Sequence, residues 1–228
     1  MLIFLDTETT GLESSDKIIS IALIALDGDE ITIKSDLVNE GKKIPPKASS
    51  INHITNEMIK SKPALDKCET FKFLELNNIY DTTVISHNIN FDLQMLSQNI
   101  GFTWQGKIID TLRCSKHLMP ECEEFSLQFL RYELKLYKKE GEEVVAHDAL
   151  SDTKVTKLLY EELLELASKD ELEELSAKPV LMQRFEFGKY AGRYIEEISM
   201  IDRGYLEWML ENIMDLDEDL RYSIKYHL

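Results

Sequence analysis

Positive charge is scarce in this sequence. Its 228 residues include 26 Lys and Arg against 42 Asp and Glu, which gives a formal net charge of −16. Proteins that bind duplex nucleic acid hold it mainly through Lys and Arg that neutralise phosphates, so this balance argues against a protein that binds along a DNA groove. A hydrophobic content of 43% with 30% charged residues is typical of a globular chain and excludes a disordered acidic tail as a description of the whole.

Cysteine and long apolar runs are scarce as well. The three cysteines, Cys68, Cys114 and Cys122, match neither a zinc module nor a disulfide framework, which predicts reduced thiols. No segment approaches the ~18 apolar residues of a membrane span, and the first residues, MLIFLD, lack the basic region of a signal peptide. These absences predict a cytoplasmic protein with no membrane partner, and they leave its oligomeric state open.

Apolar runs near the start of the chain predict three strands, at residues 2–5, 18–26 and 31–38. Asp27-Gly28-Asp29 supplies hairpin-type turn residues between the second and the third. Two further strands are predicted at 82–85 and 107–112, and each is followed by helical periodicity. Strands that alternate with helices predict an α/β fold with helices on the faces of the sheet.

The most regular helical period runs from about Ser151 to Ala167, just after His147. Shorter helical patterns occur at residues 55–60, 65–76 and 126–133. Residues 168–179 are charged and end at a proline, which predicts a solvated linker or a helix extension. The composition then changes, because residues 180–228 are dense in aromatic side chains. The predicted domains are therefore 1–167 and 180–228, joined by 168–179.

Two carboxylates, Asp6 and Glu8, follow the first predicted strand. Residues two apart in an extended chain point to the same face, so these carboxylates converge. Like charges this close repel unless a cation lies between them, and hard oxygen ligands suit Mg²⁺ or Mn²⁺. A solvated strand end is the alternative, and it would be favoured if this pair stood alone.

Two more acids open predicted helices. Asp92 lies near a helix start at which Asn88 or Asn90 can act as the cap, and Asp152 follows His147 by five residues. An acid in the first helical turn is favoured by the helix dipole, and a lone histidine before a helix is usually a hydrogen-bonded loop residue. The set of four acids and one histidine points to function, because all lie at strand ends or helix starts, where α/β folds place their sites.

Three segments resemble the DEDDh branch of the 3'-to-5' exonuclease superfamily: FLDTETTGL at 4–12, SHNINFDLQML at 86–96 and HDALSDTKVT at 147–156. The resemblance covers residues 1 to about 167 and implies a ribonuclease H-like fold, with a mixed five-stranded sheet flanked by helices. It implies two divalent ions, Mg²⁺ or alternatively Mn²⁺, bound by Asp6, Glu8, Asp92 and Asp152. It also implies that His147 is the general base and that Glu8 is a second catalytic residue.

The resemblance implies substrate contacts from a second set of residues: Thr7, Thr9, Gly11, Leu12, His53, Asn88 and Phe91. Core packing is an alternative for Leu12 and for Phe91. His53 lies in ASSINHITNEMI, where the family commonly has His-Gly-Ile-Thr, but here Ile54-Thr55 follow the histidine directly, without the glycine.

The segments RFEFGKYAGRYIEEI at 184–198 and GYLEWMLEN at 204–212 resemble the small carboxy-terminal module of the exodeoxyribonuclease X family. Arg184, Lys189 and Arg193 interleave with aromatic residues there, and cations beside stacking rings are what strand binding needs. These three are candidate nucleic-acid contacts. A small aromatic core is the equal alternative, and both can hold with different residues.

The sequence therefore predicts a metal-dependent 3'-to-5' exodeoxyribonuclease that releases nucleoside monophosphates from single-stranded or frayed DNA 3' ends, in DNA repair or end processing. RNA ends, or a proofreading role, are the alternative substrate and setting. A non-catalytic binding module is a third hypothesis, but it would have lost one of the five site residues, and all five are present. Because the chain is so acidic, we expect it to hold DNA through bound metals, through stacking and through a local patch of Arg184, Lys189 and Arg193.

Overall fold

A computed structural model describes residues 1–141 and 146–228. Five strands form one mixed sheet in the order β3-β2-β1-β4-β5. β1, β2 and β3 are antiparallel neighbours, whereas β4 runs parallel to β1 and β5 parallel to β4. The strands are β1 Leu2–Thr9, β2 Ile18–Asp27, β3 Glu30–Leu37, β4 Thr83–Ser86 and β5 Lys107–Asp110. The predicted α/β fold with a mixed five-stranded sheet is confirmed.

Helices cover both faces of this sheet and form the carboxy-terminal region. They are α1 Pro46–Asn52, α2 Asn56–Ile59, α3 Glu69–Leu76, α4 Ile89–Ile100, α5 Thr111–Leu118, α6 Leu127–Glu133, α7 Ala149–Leu164, α8 Lys169–Ala177, α9 Ile195–Ile201, α10 Arg203–Asn212 and α11 Glu218–His227. Two 3₁₀ turns lie at Leu65–Lys67 and Leu136–Lys138. No helix within the described ranges is both long enough and apolar enough to cross a membrane.

Local capping explains where the predicted elements were wrong. The strand predicted at 107–112 ends at Asp110, because the Asp110 carboxylate accepts hydrogen bonds from the backbone of Leu112 and Arg113 and so begins α5. The helix predicted at 65–76 is divided at Cys68, which caps α3. The helix predicted at 151–167 begins two residues earlier, where the Asp148 side chain accepts a hydrogen bond from Ser151 N, and it ends at Leu164.

β1 is central in the sheet and is buried on both faces. Ile3 and Leu5 lie in a core with residues of α3 and α4, whereas Phe4 lies in a second core with residues of α7. The Phe4 and Tyr160 rings meet edge to face with centroids 5.5 Å apart. Because side chains alternate along β1, the two residue sets continue to opposite faces at its carboxyl end.

The segment predicted as a solvated linker or helix extension, residues 168–179, is a separate packed helix. Ser168 and Glu171 form a capping box that starts α8. Leu172 is fully buried in the same core as Phe4, and Ser176 Oγ accepts a hydrogen bond from Asp110 N at 2.8 Å. α8 therefore covers the end of β5, and only one of its faces is solvated.

The carboxy-terminal helices α9–α11 surround a core of their own that includes Phe185, Ile198 and Leu206. Arg113 joins this core to α5, since its guanidinium donates to both carboxylate oxygens of Asp219 at 2.9 and 3.0 Å. The exact domain bounds stay a prediction.

Candidate active site

The predicted acids lie at one edge of the sheet. β1 and β4 are parallel, so their carboxyl ends meet at that edge. Asp6 and Glu8 share the β1 face that carries Phe4 and packs on α7, whereas Thr7 points toward α4. The alternation of a strand thus sends two carboxylates to one layer and a hydroxyl to the other.

Asp92 lies in the first turn of α4 and is 3% exposed. Its two oxygens accept hydrogen bonds from Thr7 Oγ1 at 2.7 Å and from Ser86 Oγ at 2.8 Å. Asn88 begins the helix in the left-handed region, with φ 72°, and its backbone N–H donates to Asp110 at 3.0 Å. The hydrogen bonds from Thr7 of β1 and Ser86 of β4 together fix the orientation of the Asp92 carboxylate.

Asp152 lies in the first turn of α7 and is also buried. It accepts hydrogen bonds from Gln128 Nε2 at 2.8 Å and from His147 N at 3.0 Å. His147 is exposed and has a left-handed backbone with φ 60°, a conformation that is uncommon for a residue with a side chain. The ligand atoms of Glu8, His147 and Asp152 all lie within 4.8 Å of one another.

A buried chain of polar side chains leads to Asp152 from α6. Arg131 is 8% exposed, and its guanidinium donates to both carboxylate oxygens of Glu140 at 2.6 Å. The same guanidinium donates to Gln128 Oε1 at 3.2 Å, while Gln128 Nε2 donates to Asp152. Arg131 therefore sets which end of the Gln128 amide faces Asp152.

Burial and mutual repulsion dominate the electrostatics of the acids. Burial, followed by the charges of Asp92, Asp152 and Glu8, raises the pKa of Asp6 well above its usual range. Burial and then Asp152 raise the pKa of Glu8 to about 8, although a hydrogen bond from Asn52 opposes the shift. Burial raises the pKa of Asp92 and of Asp152 to about 6 in each case. Four acids are thus crowded together, and both burial and their mutual repulsion disfavour the charged forms.

The residues present fit divalent cations. Asp6, Glu8, Asp92 and Asp152 offer hard oxygen ligands, which Mg²⁺ and Mn²⁺ prefer. No Lys or Arg side chain within residues 1–141 and 146–228 forms an ion pair with any of the four. Bound cations would relieve the repulsion that raises these pKa values.

Asn52, which was not predicted, reaches the site, whereas the substrate contact of His53 stays a prediction. Asn52 is 5% exposed, its Nδ2 donates to Thr9 O at 3.3 Å, and its side chain also bonds Glu8. His53 is exposed and ends α1 in the left-handed region, with φ 60°, a position that favours glycine. His53 thus takes the place expected of the missing glycine, and the preceding residue points inward.

The loop after β1 presents Leu12 to solvent. Leu12 is 84% exposed, so the alternative of core packing is wrong for this residue. The turn depends on Gly11, because a Cβ there would lie 2.5 Å from Asp16 Oδ2, and Thr9 Oγ1 donates to Gly11 O at 2.7 Å. Phe91 in contrast is partly buried against the α3–α4 core, as its packing alternative predicted.

The carboxy-terminal cations are engaged within their own module. Lys189 pairs with Asp202 at 2.9 Å, and Arg193 pairs with Glu197. The Arg184 guanidinium lies 4.3 Å from the centre of the Tyr194 ring. Two of the three charges in the predicted basic patch are therefore paired with carboxylates, and the contact of the patch with DNA stays a prediction.

Sequence comparison finds two families in the chain. Residues 3–160 match the family described as "Exonuclease", and residues 185–214 match "Exodeoxyribonuclease X-like C-terminal". The first match includes the strand end, both helix starts and the histidine described above.

Individual relatives cover the chain to different extents. Exodeoxyribonuclease 10 of Escherichia coli (strain K12) is 28% identical over 232 residues, covering 100% of this chain and 99% of the relative. The 3'-5' exonuclease DinG of Bacillus subtilis (strain 168) is 31% identical over 170 residues, which are 72% of this chain and 17% of the relative. Among solved structures, Exonuclease X in complex with 5' overhanging duplex DNA aligns with a TM-score of 0.64 at 25% identity, covering 77% of this chain and 99% of that one.

Proposed function

The chain belongs to the exonuclease family, and from that premise we propose that it removes nucleotides from the 3' ends of DNA by hydrolysis at the carboxylate cluster described above. The observation that carries the proposal is the convergence of Asp6 and Glu8 with the buried Asp92 and Asp152 and the exposed His147 at the carboxyl end of β1. The family implies divalent metal ions. We assign Asp6, Glu8, Asp92 and Asp152 as their ligands, with Mg²⁺ favoured and Mn²⁺ as the alternative.

Two divalent ions in such a site supply Lewis-acid stabilisation to the attacking and leaving oxygens of an in-line phosphodiester displacement. His147 is the general base, and its imidazole accepts the proton of the attacking water. Its exposure leaves the ring free to meet solvent, and its backbone N–H bond to Asp152 holds the loop at the site. Glu8 lies beside His147, where its carboxylate orients the same water.

The loop of Thr9 and Gly11 is proposed to lie along the terminal nucleotide, with Leu12 against its base. The exposure of the Leu12 side chain supports this role, since an apolar side chain 84% in solvent gains from covering a base. Thr7 and Asn88 act indirectly, because Thr7 donates to Asp92 and Asn88 begins α4.

DNA is the proposed substrate because the relative that spans the whole chain is named an exodeoxyribonuclease and because residues 185–214 match the module described for that family. The carboxylate cluster itself does not distinguish the sugar, so RNA ends remain the alternative substrate. Single-stranded or frayed ends are favoured over the interior of a duplex by the overall charge of −16.

Matched DNA and RNA oligonucleotides of one sequence, labelled at the 5' end, test the proposal. With Mg²⁺ the wild-type protein should shorten the DNA stepwise and the RNA more slowly. Faster loss of RNA would replace DNA by RNA as the substrate.

Two variants test the assigned roles. Asp6→Asn should weaken binding of Mg²⁺ itself, as measured by calorimetry, whereas His147→Ala should keep metal and strand binding and lose most turnover. Turnover at the wild-type rate by His147→Ala would remove this residue from the mechanism. His227→Ala, at a partly exposed histidine that ends α11, serves as the matched control and should behave as wild type.

A further inference from the structure

The positive charge of this acidic protein is concentrated in one segment beside the site. Residues 42–62 contain five lysines and a single acid, Glu57, a net charge of +4 in a chain of net charge −16. This segment spans α1 and α2. Its lysines were not singled out by any motif, because they follow no regular spacing.

Four of these lysines form no ion pair with a carboxylate that the structure describes. Lys42 is held by Asp16, with 2.8 Å between Nζ and Oδ1, and so its charge is compensated. Lys43, Lys47, Lys60 and Lys62 are exposed. None of these four forms an ion pair with a carboxylate among residues 1–141 and 146–228. We name these four residues the lysine surface.

The lysine surface is anchored next to the loop that follows β1. Ile44, Ala48, Ile54 and Ile59 pack into a small core with Ile19 of β2, which fixes α1 and α2 on the sheet. Asn52, at the end of α1, donates to Thr9 O at 3.3 Å. With ~1.5 Å of rise for each helical residue, Lys47 lies only about 7.5 Å along the helix axis from Asn52. Lys47 is thus within a few nucleotide lengths of Thr9, and Lys43, Lys60 and Lys62 belong to the same anchored segment.

Other basic stretches are more fully compensated. Lys189 and Arg193 of the carboxy-terminal module pair with acids. In residues 131–139, Arg131 pairs with Glu140 and Lys139 with Glu162. Only the lysine surface combines four uncompensated charges with a direct hydrogen-bond link to the loop at the site, within the two described ranges of the chain.

We propose that the lysine surface binds the phosphates of the DNA strand that enters the active site, two to four nucleotides from its 3' end. The inference rests on the proposed function and assigns the path of the strand, which that function leaves open. Each phosphate neutralised by a lysine releases a counterion. For a single strand, the logarithm of the binding constant therefore falls by ~0.7 per contact for each tenfold rise in salt concentration. Four contacts correspond to a slope of about 2.8, or roughly a 50-fold loss of affinity between 50 and 200 mM salt.

The test compares a long and a short substrate. The long one is a 20-nucleotide single DNA strand, and the short one is the p-nitrophenyl ester of thymidine 5'-monophosphate, which has one phosphodiester and cannot extend to the lysine surface. The variant replaces Lys43, Lys47, Lys60 and Lys62 by glutamine. A control variant with the same change in net charge replaces the exposed Lys72, Lys178, Arg203 and Lys225 by glutamine. KM and kcat are measured with Mg²⁺ from 50 to 200 mM salt, and thermal melting verifies folding.

The proposal predicts that the lysine-surface variant raises KM for the long strand by about tenfold or more at low salt and flattens its salt dependence. Its kcat for the long strand and its rate on the ester should equal those of the wild-type protein, and the control variant should keep a wild-type KM.

A wild-type KM and salt slope in the lysine-surface variant would overturn the proposal, as would an equal loss in the control variant. The proposal would also be overturned if replacing Lys135 and Lys138 by glutamine raised KM for the long strand while the lysine-surface variant did not. If the wild-type protein hydrolyses neither substrate, the proposed function itself fails, and that outcome is distinct from a lysine variant that keeps its KM.

Discussion

Replacing Glu8 by glutamine is expected to stabilise the metal-free protein while it removes activity. Glu8 lies among Asp6, Asp92 and Asp152, and burial followed by the charge of Asp152 raises its pKa to about 8 from an ordinary value of 4.5. Near neutral pH the folded protein must therefore either protonate Glu8 or keep its charge among like charges. Glutamine has the same shape and carries no charge, so the substitution removes this cost and keeps an acceptor for Asn52.

The size of the effect follows from proton linkage. At ~1.4 kcal/mol for each pH unit, the interval from pKa 4.5 to pH 7 costs the folded state about 3 kcal/mol. Glu8 is partly exposed, and solvent screening reduces this to about 2 kcal/mol. For a chain of this length that free energy corresponds to a rise in Tm of roughly 4–8 °C.

The size of the gain depends on pH. A carboxyl group whose pKa is raised by folding favours the folded state below its unfolded pKa, and that contribution is lost as pH rises through its folded pKa. The gain from Glu8→Gln should therefore be near zero at about pH 4.5 and largest at about pH 8 and above.

Thermal melting in EDTA from pH 5 to pH 9 measures the effect, with Glu57→Gln as the control. Glu57 is exposed, and hydrogen bonds from its own backbone N–H and from Thr55 lower its pKa, so its replacement should give no gain. Saturating Mg²⁺ should stabilise the wild-type protein more than Glu8→Gln, because binding to the folded state adds RT ln(1 + [L]/Kd). A lower Tm for Glu8→Gln than for the wild type in EDTA across this pH range would refute the idea of a repulsive, metal-ready cluster.

Three further predictions concern the surroundings of the cluster. Protons compete with metal at Glu8 and at Asp152, because the pKa values of these groups are raised to about 8 and about 6. The affinity for Mg²⁺, measured by calorimetry, should therefore weaken from pH 8 to pH 6. An affinity that does not change with pH would contradict this. Gln128→Met removes the donor to Asp152 and should weaken Mg²⁺ binding by about 10-fold or more, whereas the exposed Gln105→Met should not. Arg113→Ala leaves Asp219 unpaired and should lower the free energy of unfolding in urea by about 1–3 kcal/mol; a loss no larger than that of an exposed surface pair would argue against this link.

Local periodicity was sufficient to predict much of the fold. The apolar run of β1 and the helical spacing of α7 predicted a central strand and a long helix, and the alternation along β1 placed Asp6 and Glu8 on one face. The bounds that were wrong depended on side-chain caps at Asp110 and Cys68, whose hydrogen bonds outweigh the propensity of the neighbouring residues.

The parts of the site that could not be predicted depend on tertiary contacts. Asn52 meets Thr9 across 43 positions and Gln128 meets Asp152 across 24, so neither residue had a local pattern that pointed to the site. His53 was named because the family commonly has a histidine in this segment, and in the structure it is exposed at the left-handed end of α1.

Charge pairing in the carboxy-terminal module was partly accessible from the sequence. Arg193 and Glu197 stand four positions apart in the chain, a spacing that brings side chains together on a helix. The partner of Lys189, Asp202, is 13 positions away and required the fold. These pairs compensate two of the three cations predicted to contact DNA there, and the lysine surface proposed above lies in a different segment.

The proposed activity is hydrolysis of DNA from the 3' end by the carboxylate cluster with divalent metal. Its most direct test is a DNA single strand with a label on the 3'-terminal nucleotide, incubated with wild-type protein in Mg²⁺ or in EDTA. The label should be released at once as a nucleoside monophosphate in Mg²⁺ and should be retained in EDTA. Release in EDTA, or a label that leaves only after the strand has been shortened from its 5' end, would contradict it.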